Sequence, residues 1–215
     1  MDEVERILRL LSEGKITKEE AERLLAALEG PAAGASVGRL AIDADRAEIH
    51  VRPAPGDQVT ARGFGAGELK LDRKGQEAWL RWRSRAPVLG RGRIEVELPA
   101  GWGVVLELGQ GRLEAEALPF LKGSAGQARV RVGRLAALDF DLGQGRFEAG
   151  LALRQGRHRL TIGMGRAKIR PLPGADFVIE GEVGLGLAER RRFGRGAAVL
   201  EVRIGVGRLE VADAG

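Results

Sequence analysis

The sequence predicts a mainly β protein, a right-handed β-helix (β-solenoid) with coils of about 20 residues, preceded by a small N-terminal α-hairpin. Three observations predict it. First, two alternating apolar residues, a Gly-x-Gly turn, an arginine and two more alternating apolar residues recur every 17 to 21 residues. The clearest copies are Leu106–Ala115, Phe140–Ala149, Leu160–Ile169 and Val202–Val211, with turn pairs Gly109/Gly111, Gly143/Gly145, Gly163/Gly165 and Gly205/Gly207. Second, the apolar positions before each turn have one parity and those after it the other. A strand alternates faces at every residue, so the switch requires a corner that re-aims the chain at the same interior. Third, 33 glycines with only 4% aromatics and no tyrosine suit many tight corners between short strands of Leu, Val, Ile and Ala.

Residues 1–29 read as two short helices. Val4, Ile7, Leu8 and Leu11 fall at i, i+3, i+4 and i+7, and Ala21, Leu24, Leu25 and Leu28 repeat the spacing, giving each helix one apolar stripe. Gly14 suits a C-terminal cap, Thr17 with Glu20 forms a capping box, and Ile16 with Ala21 a hydrophobic staple. So small a hairpin buries too little surface to stand alone and acts as an oligomerisation or capping module. Residues 30–36, rich in Gly, Ala and Pro, are a linker.

Residues 37–215 form the solenoid. Its early strands are Ala41–Asp45, Ala47–Val51, Leu69–Leu71 and Trp79–Trp82, and its corners start at Gly65, Gly90, Gly109, Gly126, Gly143, Gly163, Gly184 and Gly205. An irregular β-sandwich is the runner-up, but a sandwich does not need matching corner chemistry at every turn.

Composition narrows the function. Without cysteine there are no disulfides, thiolate nucleophiles or Cys-ligated metals. The absence of asparagine and the excess of Arg over Lys fit a GC-rich genome and a thermophile. No secretory leader and no run of about 20 apolar residues is visible, which predicts a cytoplasmic protein without a transmembrane segment. The net charge is +5, yet residues 1–30 hold five Lys/Arg against eight Asp/Glu, so the solenoid is the basic part.

Ala41–Val59, Arg93–Gly101 and the repeated Gly-x-Gly units together resemble the bacterial putative-adhesin family of domains of unknown function, which are short-coil β-helices. Ile7–Leu25 is similar to the helical module preceding such domains in YvlB/LiaX-like envelope-stress proteins of Gram-positive bacteria. The resemblance implies a non-enzymatic interaction or scaffold protein, regulatory in an envelope-stress response and associated with the envelope. It supplies no catalytic residues.

Site chemistry agrees with that expectation. His50 and His158, the only histidines, are expected on outward strand positions, too few for a metal site. Ser12, Ser36, Ser84 and Ser124 lie outside any nucleophile elbow. Each Gly-x-Gly is followed by a strand, whereas a dinucleotide fingerprint needs a helix. No catalytic residue, metal or cofactor is therefore assigned.

The arginine after each turn is the informative constellation: Arg93, Arg112, Arg129, Arg146, Arg166 and Arg208, with Leu187 the exception. Stacked coils place equivalent residues about 4.8 Å apart, so these form a ladder, a candidate anion-binding edge for a polyanion. Glu95, Glu114, Glu148 and Glu210, two residues further on, favour a structural ion-pair lattice instead. That compensation is expected to fail where Arg131 and Lys168 replace the acid, so both belong to the candidate anion-binding edge. A second basic cluster, Arg81, Arg83, Arg85, Arg91 and Arg93, stands beside Trp79 and Trp82, of which one should face inward. It has the look of a nucleic-acid surface, although nucleic acid ranks below a protein partner, chiefly the chain itself. The open ends of a solenoid predict a homo-oligomer.

Overall fold

The computed structural model describes residues 38–85, 92–184 and 187–212. The chain separates into two compact units, Met1–Ser36 and Val37–Gly215, and the described residues belong to the second. The expected α-hairpin at 1–29 and linker at 30–36 lie outside the described residues.

The described part is mainly β, with twelve strands in one open sheet and no helix. They are β1 (Arg39–Pro53), β2 (Thr60–Phe64), β3 (Gly67–Lys74), β4 (Glu77–Ser84), β5 (Gly92–Leu98), β6 (Gly103–Leu118), β7 (Leu121–Leu135), β8 (Leu138–Leu151), β9 (Gly156–Pro171), β10 (Phe177–Val183), β11 (Leu187–Phe193) and β12 (Ala198–Val211). β1, β6, β7, β8, β9 and β12 are parallel neighbours in that order.

Each long strand holds both halves of a coil. In β6, Leu106 and Leu108 are buried before the turn and Leu113 and Ala115 after it, so the parity switch occurs at Gly109-Gln110-Gly111. Gly145 shows why the corner takes glycine: its φ is +142°, and a Cβ there would lie 1.9 Å from the Ala128 carbonyl oxygen of the preceding coil. The interior is a continuous apolar column, in which Phe140 and Phe147 flank one corner with ring centroids 6.3 Å apart. Each fully buried Leu, Ile or Phe contributes about 1.5–3 kcal/mol.

Stacking in chain order holds only from β6 to β9. Val104 pairs with Leu121 and Leu121 with Leu138, offsets of one repeat. At the ends the chain departs from the expected serial coil. β6 returns to one side of β1, while β4 and β5 form a split coil on its other side. β3 and β2 run antiparallel to β4 and β5, closing that end with a reversed coil. The buried Trp82 fills its interior, and a Cβ on Gly63, Gly67 or Gly92 would strike the ring. At the other end β12 stacks directly on β9, with Gly207 opposite Gly165. β10 pairs only with Ala198–Ile204 of β12, and β11 turns back antiparallel on β10. The corner expected at Gly184 is thus a hairpin turn, because an antiparallel return satisfies β10 without a further full coil. Leu187 lacks the arginine because it opposes Val183 in that hairpin, outside the ladder.

Candidate functional site

The residue after each turn starts the second half of its coil at an outward position, and parallel register carries that position from coil to coil. Glu48, Arg112, Arg129, Arg146, Arg166 and Arg208 occupy one column in that order. Arg93 also pairs with Glu48, on the far side from Arg112. The expected ladder is therefore corrected at one end: Arg93 is separated from the rest by an acid, since β1 lies between β5 and β6. Five arginines remain consecutive.

The column two residues further on reads Glu95, His50, Glu114, Arg131, Glu148, Lys168, Glu210. From Glu114 to Glu210 its signs alternate. Arg131 Nη2 lies 3.1 Å from Glu148 Oε2, and His50 Nδ1 lies 3.3 Å from Glu114 Oε2. Arg131 and Lys168 were expected to break the compensation. Arg131 completes it instead, because a cation between two glutamates is stabilised from both sides while three stacked glutamates would repel.

That arrangement leaves the arginine column unevenly matched. Arg112 Nε is 3.1 Å from Glu114 Oε1 but not aligned for a hydrogen bond, and it is buried without another partner. Arg166 Nε and Arg208 Nη1 share Glu210 at 3.6 and 3.9 Å. Arg93 pairs with Glu95. Arg129 and Arg146 form no ion pair with any described carboxylate, since Glu148, the acid nearest in sequence to Arg146, is bonded by Arg131 across the coils.

These two side chains sit on a groove of about 510 Å³ along the corner. It is lined by Arg112, Arg129 and Arg146, by Gln110, Gln127 and Gln144, by Gly111, Ala128 and Gly145, and by Glu48. The glutamines are the middle residues of successive turns and stack in register, which sequence reading missed although Gly-Gln-Gly or Gly-Gln-Ala appears three times. Guanidinium forks and amide groups lining one groove can hold an anion that also carries hydroxyl or carbonyl groups.

The described members of the second basic cluster are matched by acids. Arg83 bonds Asp43 through both terminal nitrogens at 2.8 and 2.6 Å, which with Arg81 holds the Asp43 carboxyl below its usual range. Arg85 meets Glu68 at 3.3 Å. Trp82 is the tryptophan that faces inward, and Trp79 is exposed. Arg91 lies outside the described residues.

One histidine differs from expectation. His158 shares the parity of Leu160 and Ile162 and is 8% exposed, not outward. Leu138 N–H donates to its Nδ1 at 3.3 Å and its Nε2 lies 3.0 Å from the Gln155 carbonyl, so the ring bridges two coils. Burial pushes its pKa down, partly opposed by the Gln155 carbonyl. Among the described residues no three His, Asp or Glu side chains converge as metal ligands.

Residues 2–32 match the SHOCT-like domain family. No curated protein matches the chain. Among solved structures it is similar to a crystal structure of a putative cell adhesion protein from Clostridium sporogenes ATCC 15579, at 14% identity and a TM-score of 0.48, over 83% of this chain and 93% of that one.

Proposed function

We propose that the protein is a non-enzymatic scaffold, a right-handed β-helix that binds an extended polyanion along its arginine corner. The observation that supports this most is the pair Arg129 and Arg146: adjacent in register, free of described carboxylates, and lining one groove with three glutamines. Like charges held side by side in one column cost stability unless something neutralises them, and a linear ligand with repeated negative charges does so along the column. The groove is lined by no aromatic side chain, so the stacking platform typical of single-strand nucleic-acid sites is not what it offers. The adhesin-like character, the envelope-stress role and the association with the envelope come from the sequence resemblance.

The test is titration of the full chain with a fluorescent heparin oligosaccharide or polyphosphate at several salt concentrations. Binding should weaken steeply with salt, and the Arg129→Gln/Arg146→Gln double variant should lose roughly tenfold or more in affinity with a shallower salt slope. Equal affinity of the double variant and the parent would refute the proposal.

A further inference from the structure

The two ends of the sheet are finished differently. At one end a complete reversed coil, β3 and β2, covers both halves of the coil beneath it. At the other, β10 and β11 cover only the first half of β12, and among the described residues no strand pairs with the outer side of Val206–Val211. Val206 is 62% exposed, and Leu209 and Val211 are only partly buried, whereas Ala167 and Ile169, their counterparts one coil inward, are fully buried.

The hydrogen-bonding groups of this edge can be assigned. Ala212 N–H donates to Ile169 O, so residue 212 directs its backbone groups toward β9. Alternation in a parallel pair then gives residues 208 and 210 to β9 and turns those of 207, 209 and 211 outward. The Val211 carbonyl agrees with that direction, since Arg191 of β11 reaches it from outside at 3.4 Å.

We propose that this edge pairs antiparallel with the same segment of a second copy of the chain, about a twofold axis through Leu209. A twofold axis at that residue sets Leu209 opposite its own counterpart, Gly207 opposite Val211 and Arg208 opposite Glu210. Outward backbone groups then meet outward groups, with 207, 209 and 211 at the hydrogen-bonded pairs, and the Arg191 side chain yields the Val211 carbonyl to the partner's Gly207 N–H. Arg208 and Glu210 fall at the non-hydrogen-bonded pairs, where side chains approach most closely, and each arginine meets the opposite chain's acid. On the other face Leu209 and Val211 from both copies join their interiors. The six-residue segment is self-complementary in charge, apolar face and hydrogen bonding in this one register. A register shifted by two residues would put Arg208 opposite Arg208 or Glu210 opposite Glu210.

Light scattering on the full chain at increasing concentration, with charge-swapped variants, tests the pairing. The parent should form a dimer. Glu210→Arg should weaken it at least about tenfold, because each Arg208 then faces a second guanidinium in place of the carboxylate, at two symmetry-related pairs. Arg208→Glu combined with Glu210→Arg restores opposite charges at both pairs and should recover the dimer. Circular dichroism and melting of each variant separate loss of pairing from loss of fold. A parent that stays monomeric to high concentration overturns the proposal. So does a dimer indifferent to Glu210→Arg, or one that the double variant fails to recover while remaining folded.

Discussion

Replacing Gly145 by alanine changes a single methyl group, yet the geometry makes it a severe test of the coil. The residue sits at φ +142°, and its new Cβ would stand 1.9 Å from the Ala128 carbonyl oxygen. No rotamer relieves that contact, so the backbone of one coil must move. Holding a side chain in that region costs about 1–3 kcal/mol. Displacing the neighbouring carbonyl weakens one or two hydrogen bonds between coils, about 0.5–1.5 kcal/mol each. The sum is about 1.5–6 kcal/mol, and at about 2–4 °C per kcal/mol for a chain of this size the melting temperature should fall by roughly 3–24 °C. Calorimetry or circular dichroism would read it. Gly56→Ala is the control, since a Cβ there meets nothing within 4 Å and φ is not in the left-handed range, and it should leave stability unchanged or slightly raised. A Gly145→Ala melting temperature within a degree or two of the parent's would refute the corner assignment.

Two further outcomes follow from the site. Arg131→Gln removes the bond to Glu148 and should cost about 0.2–1 kcal/mol at low salt, while Arg146→Gln should leave stability unchanged or improve it; the opposite ranking in urea midpoints would show that Arg146 belongs to the lattice. The lowered pKa of His158 means that the unfolded chain takes up a proton near 6.5 before the folded one does, so this contribution is complete above that value and is lost as pH falls below it. Stability should therefore drop between about pH 7.5 and 5.5, and His158→Gln should flatten that slope; an identical slope in both proteins would count against a neutral buried imidazole.

The coil interior was legible because its evidence is local. Leu106, Leu108, Leu113 and Ala115 carry both the alternation and the parity switch within one stretch, and burial follows them. The order of stacking was not legible. Nothing in the apolar pattern of residues 54–102 says that β4 and β5 pass to the far side of β1, because parallel and antiparallel neighbours bury the same side chains. Hence the ladder of arginines was found from spacing, but the insertion of Glu48 beside Arg93 was not. His158 was misplaced since a polar residue on a core parity is read as exposed unless its partners are known, and those partners, Leu138 N–H and the Gln155 carbonyl, come from the chain's return. The free pair Arg129 and Arg146 depends on which carboxylate Arg131 selects, a choice made between coils.

The alternating column of Glu114, Arg131, Glu148 and Lys168 has a bearing on how such a chain avoids misassembly. Coils β6 and β8 are nearly interchangeable in sequence around their corners, Leu-Gly-Gln-Gly-Arg in both, so a folding chain could dock β8 on β6 and leave β7 looped out. Their apolar residues and glycines would accept that error. The charges would not: skipping one coil sets Glu148 against Glu114, and skipping the next sets Lys168 against Arg131. A sequence whose repeats are too alike to be told apart by shape thus carries a parity check in its surface charge, opposing every omission of a single coil along this stretch.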